Sequence, residues 1–115
     1  MDDLLEYIEV DSDATIKAKE LKLGKPIEIL ELSEDVSKKL KAINYYYIWQ
    51  LYVFLDKETL NDPFYMNIGK SGAKEICVKV KDICGFDIVE NMNTKDNLAE
   101  TERRVNLCRA LKFLR

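Results

Sequence analysis

The stretch Asn67-Ile68-Gly69-Lys70-Ser71-Gly72-Ala73-Lys74-Glu75-Ile76 decides the fold. It starts as a glycine-containing turn and continues directly into a stretch with helical spacing of apolar residues that ends near Ile83. This pattern predicts a hairpin followed at once by the N-terminus of a helix. Gly69 and Gly72 allow a sharp turn and a close approach of the backbone to a partner. The first amides of a helix lack an internal acceptor and point outward, so they suit an anion such as a phosphate.

The composition predicts one ordinary globular domain. The chain has 115 residues, of which 47% are hydrophobic and 34% charged, and its net charge is −3. This charge disfavours wholesale capture by nucleic acid, although a local basic face is compatible with it. Residues 1–13 carry six acidic side chains and no basic one, whereas residues 98–115 carry five basic and two acidic ones. The two ends are therefore expected to attract each other.

The cysteine and histidine content argues against a metal site. The three cysteines, Cys77, Cys84 and Cys108, lack CxxC spacing, and the chain has no histidine. They are expected to be buried core thiols in a reducing cytoplasm, without a disulfide framework. No cofactor is implied. The longest apolar run, Tyr45 to Leu55, is broken by Gln50 and is too short to span a bilayer, so no membrane partner is expected.

The first half of the chain predicts two helices after an N-terminal extension at residues 1–26. Ser33 is a suitable N-cap for a helix from about Glu34 to Ala42, with acids in its first turn. A second helix is expected across Tyr46 to Leu55, followed by a polar break at residues 56–58. Leu60 to Tyr65 suggests a short turn of helix that Pro63 starts or interrupts.

The second half predicts two more helices. The helix after the opening turn should present Ala73, Ile76, Cys77, Val80 and Ile83 on one face and end at Gly85. A last helix, capped by Thr94 or Asp96 and reaching Phe113, should dock through an apolar stripe of Leu98, Val105, Cys108 and Leu111. The whole chain is therefore expected to be all-α.

Residues from about Pro26 to Val89 resemble the C-terminal domain of the bacterial RNA polymerase alpha subunit. Three pieces carry the resemblance: residues 29–33 (Ile-Leu-Glu-Leu-Ser), Leu40-Lys41 followed by residues 45–51 (Tyr-Tyr-Tyr-Ile-Trp-Gln-Leu), and residues 67–70 (Asn-Ile-Gly-Lys) with Glu75-Ile76. The resemblance implies a compact helical bundle with helix-hairpin-helix units at residues 27–89, flanked by the extension and by a C-terminal helix at residues 90–115. It also implies contact with the minor groove of AT-rich promoter DNA and with transcription factors.

The contact residues of that family are only partly retained. Its main DNA-contacting arginine corresponds to Asp35 and its nearby asparagine to Lys38, while a lysine and a serine of its hairpin correspond to Ser71 and Gly72. A carboxylate about 4 Å from a phosphate costs roughly 4 kcal/mol at an intermediate dielectric, more than the 0.3 to 1 kcal/mol that a helix N-terminus returns. Promoter reading of the family's kind is therefore not expected.

These observations lead to two hypotheses. The first is a non-catalytic, transcription-associated module that binds duplex DNA weakly, through Lys38, Asn67, Gly69, Lys70, Ser71, Gly72 and Lys74. The second is a protein-interaction adaptor that kept the fold and lost DNA binding. It would contact transcription proteins such as RNA polymerase or sigma factor through Glu31, through the aromatics between Tyr45 and Phe54 that include Tyr46 and Trp49, or through the basic C-terminal helix. No nucleophile beside a base and no recognisable carboxylate pair points to catalysis.

Overall fold

The structure is a computed structural model that describes residues 12–63 and 67–114. These residues form six α-helices and no named strand: α1 (Ser12–Glu20), α2 (Glu34–Ala42), α3 (Ile48–Phe54), α4 (Lys57–Leu60), α5 (Gly69–Lys79) and α6 (Lys95–Ala110). A 3-10 helix spans Ile27–Leu30, and a π-helix at Val80–Cys84 continues α5. The radius of gyration is 13.8 Å, close to the roughly 13 Å expected for a compact chain of this length. The all-α prediction is confirmed for the described residues.

Residues 12–26, which the sequence pattern assigns to an extension, contribute to the same core as the rest of the described chain. Ala18, Leu21 and Leu23 are buried. The carbonyl oxygen of Leu23 accepts a hydrogen bond from the backbone amide of Trp49 at 3.0 Å. This segment therefore holds the start of α3 in place, which its sequence did not predict. Residues 1–11 lie outside the described residues.

Helix α2 confirms its predicted bounds, Glu34–Ala42. Val36 and Leu40 are its buried residues, as expected for side chains four apart on one helix face. The side chain of Ser33, the predicted N-cap, makes no capping hydrogen bond. Instead its backbone amide donates to the Glu75 carboxylate on α5, at 2.6 Å. The start of α2 is thus tied to α5.

The polar break predicted at residues 56–58 is present but shorter, since α3 ends at Phe54 and α4 already begins at Lys57. Asp56 is buried, and its carboxylate accepts hydrogen bonds from the Thr59 amide at 2.7 Å and from the Met92 amide at 3.1 Å. The first bond caps α4 and the second fixes the loop before α6. The acid is therefore an internal capping residue. The short helical turn predicted at Leu60 to Tyr65 lies partly outside the described residues.

The apolar stripe predicted for α6 is only partly correct. Cys108 and Leu111 are buried, but Leu98 is 51% exposed. The first half of the helix is fixed by polar contacts instead: Asn97 Nδ2 donates to the Asn91 carbonyl at 2.8 Å, and the Thr101 hydroxyl donates to the Met92 carbonyl at 3.3 Å. The helix spans Lys95–Ala110 after Thr94 and stops short of Phe113.

The three thiols are free, and two of them are fully buried. Burial raises the pKa of Cys84 to about 11 and that of Cys108 to about 12. The pKa of half-buried Cys77 is also raised, mainly by burial. Such thiols are inert at neutral pH, because the nucleophile is the thiolate. The prediction of core thiols is confirmed for Cys84 and Cys108.

These pKa shifts predict a loss of stability in alkali. Below pH 9 both states keep Cys84 and Cys108 protonated, whereas above pH 9 only the unfolded chain releases those protons, so stability falls as the pH rises toward 11 or 12. Urea unfolding at pH 8, 9.5 and 10.5 measures the decline. Because tyrosines and lysines also titrate in this range, the comparison is with Cys108→Val, which should show a shallower decline. Equal slopes for the two proteins would contradict this prediction.

Candidate nucleic-acid interface at the start of α5

The turn before α5 has the backbone conformation that its sequence predicts. Asn67 and Gly69 both have positive φ angles, of 51° and 83°, in the left-handed region that asparagine and glycine tolerate best. Ile68 between them is buried and anchors the turn to the core. The helix begins at Gly69, and no acidic residue lies in its first turn. The predicted turn into a helix is therefore present; the residues that precede it, 64–66, lie outside the described chain.

Most of the predicted DNA-contacting residues lie together on the surface of this turn and helix. Those exposed are Asn67, Gly69, Lys70, Ser71 and Lys74. Lys70 and Lys74 are one helical turn apart and line a shallow cleft of about 270 Å³ together with Lys57 and Asn61. Within residues 12–63 and 67–114, no carboxylate forms an ion pair with Lys70 or Lys74. The start of α5 is therefore a small basic surface.

Lys57, the third cation at this cleft, is already paired. Its ammonium lies 3.0 Å from a Glu90 carboxylate oxygen, and the hydrogen bond to that carboxylate raises the pKa of Lys57. Both side chains are exposed, so the pair contributes little to stability and exchanges readily with solvent ions. The electrostatic attraction of this surface for an anion therefore comes mainly from Lys70 and Lys74.

Gly72 differs from its neighbours because it is buried. A Cβ atom built on it would lie 2.1 Å from Ile68 Cγ2 and 3.2 Å from Val36 Cγ2. The residue has no side chain to offer a ligand, and its backbone is covered by α2 and the turn. Gly72 therefore allows the close packing of α5 against α2, and the structure places it beneath the basic surface.

Gly72→Ala is expected to lower the free energy of unfolding by about 1 to 2 kcal/mol, because the added methyl group overpacks the contact between α2 and α5. The branched side chain of Ile68 has little rotamer freedom with which to avoid the clash. This cost opposes the gain of about 1 kcal/mol that alanine brings inside a helix. Urea denaturation measures the change, and Ser71→Ala at the exposed neighbouring position is the control. A stability equal to or above that of the wild type would contradict the packing role.

The three lysines of α2 are all paired with carboxylates, two of them within the helix and Lys41 with Glu28 of the 3-10 helix at 3.2 Å. Lys38 pairs with Glu34 at 3.1 Å, and Lys39 pairs with Asp35 at 3.1 Å. Lys38, the remaining predicted DNA contact, is thus exposed but carries its own counter-ion. Helix α2 therefore adds little uncompensated positive charge to this part of the surface.

The three residues predicted to contact a protein occupy different environments. Glu31 is exposed at the end of the 3-10 helix, and Tyr46 is 44% exposed just before α3. Trp49 is half-buried, and its ring stacks on Phe113 with centroids 5.5 Å apart. Phe54 is 46% exposed, and the centre of its ring lies 5.9 Å from the centre of the Trp49 ring. The Trp49 indole nitrogen is buried, and no residue of the described chain accepts a hydrogen bond from it.

Phe113 was not identified from the sequence as a partner of Trp49. The turn that brings it back depends on Lys112, whose φ of 62° is left-handed, and on the Phe113 amide, which donates to the Cys108 carbonyl at 3.0 Å. This pattern closes the C-terminus of a helix. Lysine is not a typical residue for that conformation, so the sequence carries no strong signal for the turn.

Two absences concern the described residues alone. None of their helices combines the length and the apolar character needed to cross a bilayer. No group of three or more potential ligands among them is arranged to hold a metal ion.

Neither a protein-family model, nor a curated protein sequence, nor a solved structure matches this chain. The resemblance to the RNA polymerase alpha C-terminal domain therefore stays a prediction.

Proposed function

We propose that this protein is a non-catalytic, transcription-associated module that binds duplex DNA weakly through the first two turns of α5. One observation carries the proposal: Lys70 and Lys74 are exposed one turn apart on a helix whose first turn contains no acid. They lack an ion-pair partner among the described residues. Lysines in this arrangement can displace the counterions of two successive phosphates, which is the main source of sequence-independent affinity.

Backbone groups supplement the two lysines. The exposed turn at Asn67 and Gly69 precedes the first amides of α5, which have no acceptor within the helix, and the helix dipole also favours an anion at this end. Ser71 is exposed beside Lys70 and adds a hydroxyl donor. These groups recognise phosphate rather than base edges, so the proposed binding has no sequence preference.

The charge of the protein and the small number of phosphate contacts explain why the binding of DNA should be weak. The protein carries a net charge of −3, and Asp35 occupies the position at which the resembling family has its groove-reading arginine. Only two or three phosphate contacts are available, compared with the 6 to 10 of a tightly bound protein. The proposed affinity is therefore measurable only at low salt.

Fluorescence anisotropy with labelled AT-rich and GC-rich duplexes, at several salt concentrations, tests this function. The logarithm of the association constant should fall by about 2 to 3 units per decade of salt, equally for both duplexes. Lys70→Gln/Lys74→Gln should reduce that slope by about 2. Lys19→Gln/Lys95→Gln removes the same charge from α1 and α6 and should leave most of the binding intact.

Two outcomes would refute the DNA-binding proposal. One is the absence of any anisotropy change at low salt. The other is an equal loss of binding in the two double variants, since that would show attraction to overall charge rather than to the start of α5. A clear preference for AT-rich duplex would instead indicate groove reading of the kind that Asp35 opposes.

The second candidate function is that of a protein-interaction adaptor, and the aromatic surface favours it. Tyr46 and Phe54, which flank the half-buried Trp49 in the sequence, are both more than two-fifths exposed. Exposed aromatic side chains are enriched at protein interfaces, where they bury large areas at low entropic cost. This surface shares no residue with the α5 lysines, so substitutions can remove either set of side chains without the other.

A pull-down with nuclease treatment distinguishes the two candidates. Tyr46→Ser/Phe54→Ser should abolish capture of a protein partner that persists after nuclease digestion. Val78→Ser, at another exposed apolar position on α5, is the control and should not. Loss of every partner on nuclease treatment would count against the adaptor.

A further inference from the structure

A second cleft, of about 430 Å³, lies between α1 and α6 and shares no lining residue with the cleft at the start of α5. Its apolar wall includes Leu21, Tyr52 and Leu107, and its cations are Lys17, Arg103 and Arg104. Lys17 comes from α1 and the two arginines come from α6. The volume lies within the range of small-molecule sites, which are typically apolar with a few convergent polar groups.

Arg104 is held rigidly in the wall of this cleft. It is only 7% exposed, and its guanidinium donates to the carbonyl oxygens of Tyr52 at 3.4 Å and of Asp87 at 3.1 Å. Its Nε donates to the Glu100 carboxylate at 2.8 Å, and the guanidinium carbon lies 4.6 Å from the centre of the Tyr52 ring. A guanidinium fixed in this way presents its remaining N–H groups at little entropic cost.

Positive charge exceeds negative charge at the cleft. Its three cations face two carboxylates, Glu100 and Asp87. Glu100 is shared between Arg103 and Arg104, and Asp87 pairs with Lys81 at 3.3 Å. Burial lowers the pKa of Arg104, which means that its charge is incompletely compensated by its surroundings. An incoming anion would improve that compensation.

We propose that this cleft binds a small carboxylate with an apolar body. The carboxylate lies between Arg104, Arg103 and Lys17, and the apolar body packs on Leu21, Leu107 and the Tyr52 ring. Planar guanidinium groups match a carboxylate through paired hydrogen bonds. The apolar wall favours such a ligand over inorganic phosphate, which would leave that wall unoccupied. The proposal is independent of DNA binding by α5.

NMR titration with 3-phenylpropionate tests the site, with 3-phenylpropionamide and inorganic phosphate as comparison ligands. The Nε–H signals of Arg103 and Arg104 and the backbone signals around Leu107 should shift together, with a Kd on the order of 1 mM. The neutral amide and phosphate should each bind at least about tenfold more weakly, because each lacks one of the two features recognised.

Two double variants distinguish this site from general attraction of anions. Lys17→Gln/Arg103→Gln should weaken 3-phenylpropionate binding about fivefold or more, since it removes two exposed cations of the cleft. Lys95→Gln/Arg109→Gln removes two cations of α6 that do not line the cleft and should leave the Kd within about twofold. Both variants retain Arg104, and thermal unfolding verifies that each is folded.

Several results would overturn the proposal. They are the absence of shifts around the cleft, equal binding of the amide, tighter binding of phosphate, and equal weakening by the two double variants. Any of these could occur while the α5 lysines still bind DNA, so the failure of this site is distinguishable from the failure of the proposed function.

Discussion

Arg104→Met is expected to lower the free energy of unfolding by about 2 to 4 kcal/mol, the largest stability effect of any substitution considered for this protein. Methionine fills much of the volume but donates no hydrogen bond. The Tyr52 carbonyl is one of the last carbonyls of α3, which have no donor within the helix, and Arg104 is the donor that it would lose. The Asp87 carbonyl would lose its donor as well. The contact of the guanidinium with the Tyr52 ring is lost as well.

The neighbouring arginine supplies a matched control. Arg103 lies on the same helix and pairs with the same carboxylate, but its side chain is 77% exposed. Arg103→Met should therefore change stability by no more than about 1 kcal/mol, as is usual for exposed ion pairs. Urea denaturation of both variants, with Arg104→Lys as a partial rescue, measures the difference. Equal costs for Arg103→Met and Arg104→Met would show that the burial of Arg104 contributes nothing.

Asp35→Arg is expected to raise the affinity for duplex DNA roughly tenfold at about 50 mM salt, if α5 binds phosphate as proposed. Asp35 precedes Val36, which packs near Gly72, so the first turn of α2 lies beside the start of α5. The substitution adds a cation there and also releases Lys39 from its pair with Asp35. It should cost about 0.3 to 1 kcal/mol of stability, because the acid suits a helix N-terminus.

Anisotropy titration of Asp35→Arg over a range of salt concentrations measures this gain, and the salt slope should steepen by about one unit. Glu20→Arg makes the same change of charge at the end of α1, which packs against α6. A tenfold gain in Asp35→Arg alone would support the position of the interface. Equal gains in both variants, or none in either, would contradict it.

The candidate site was predictable from the sequence only in its local features. The turn at Asn67 and Gly69 and the exposure of Lys70 and Lys74 follow from residue types and helical spacing, which act over a few residues. The role of Gly72 was not predictable, because it depends on Val36 from another helix. The cleft between α1 and α6 was missed for the same reason: Lys17 and Arg103 are 86 positions apart.

The bounds of α2, the left-handed cap at Gly85 and the all-helical class of the described chain were determined by the sequence alone, because capping, periodicity and backbone propensity are local. Only the tertiary structure decided that Asp56 is buried and holds the loop before α6, that Leu98 is exposed and that Arg104 is buried. The partners of these residues are distant: Asp56 accepts from Met92, and Arg104 donates to Tyr52. A buried polar group is stable only where hydrogen-bond partners surround it, and the pattern of hydrophobic residues along the chain does not reveal which distant residues those partners are.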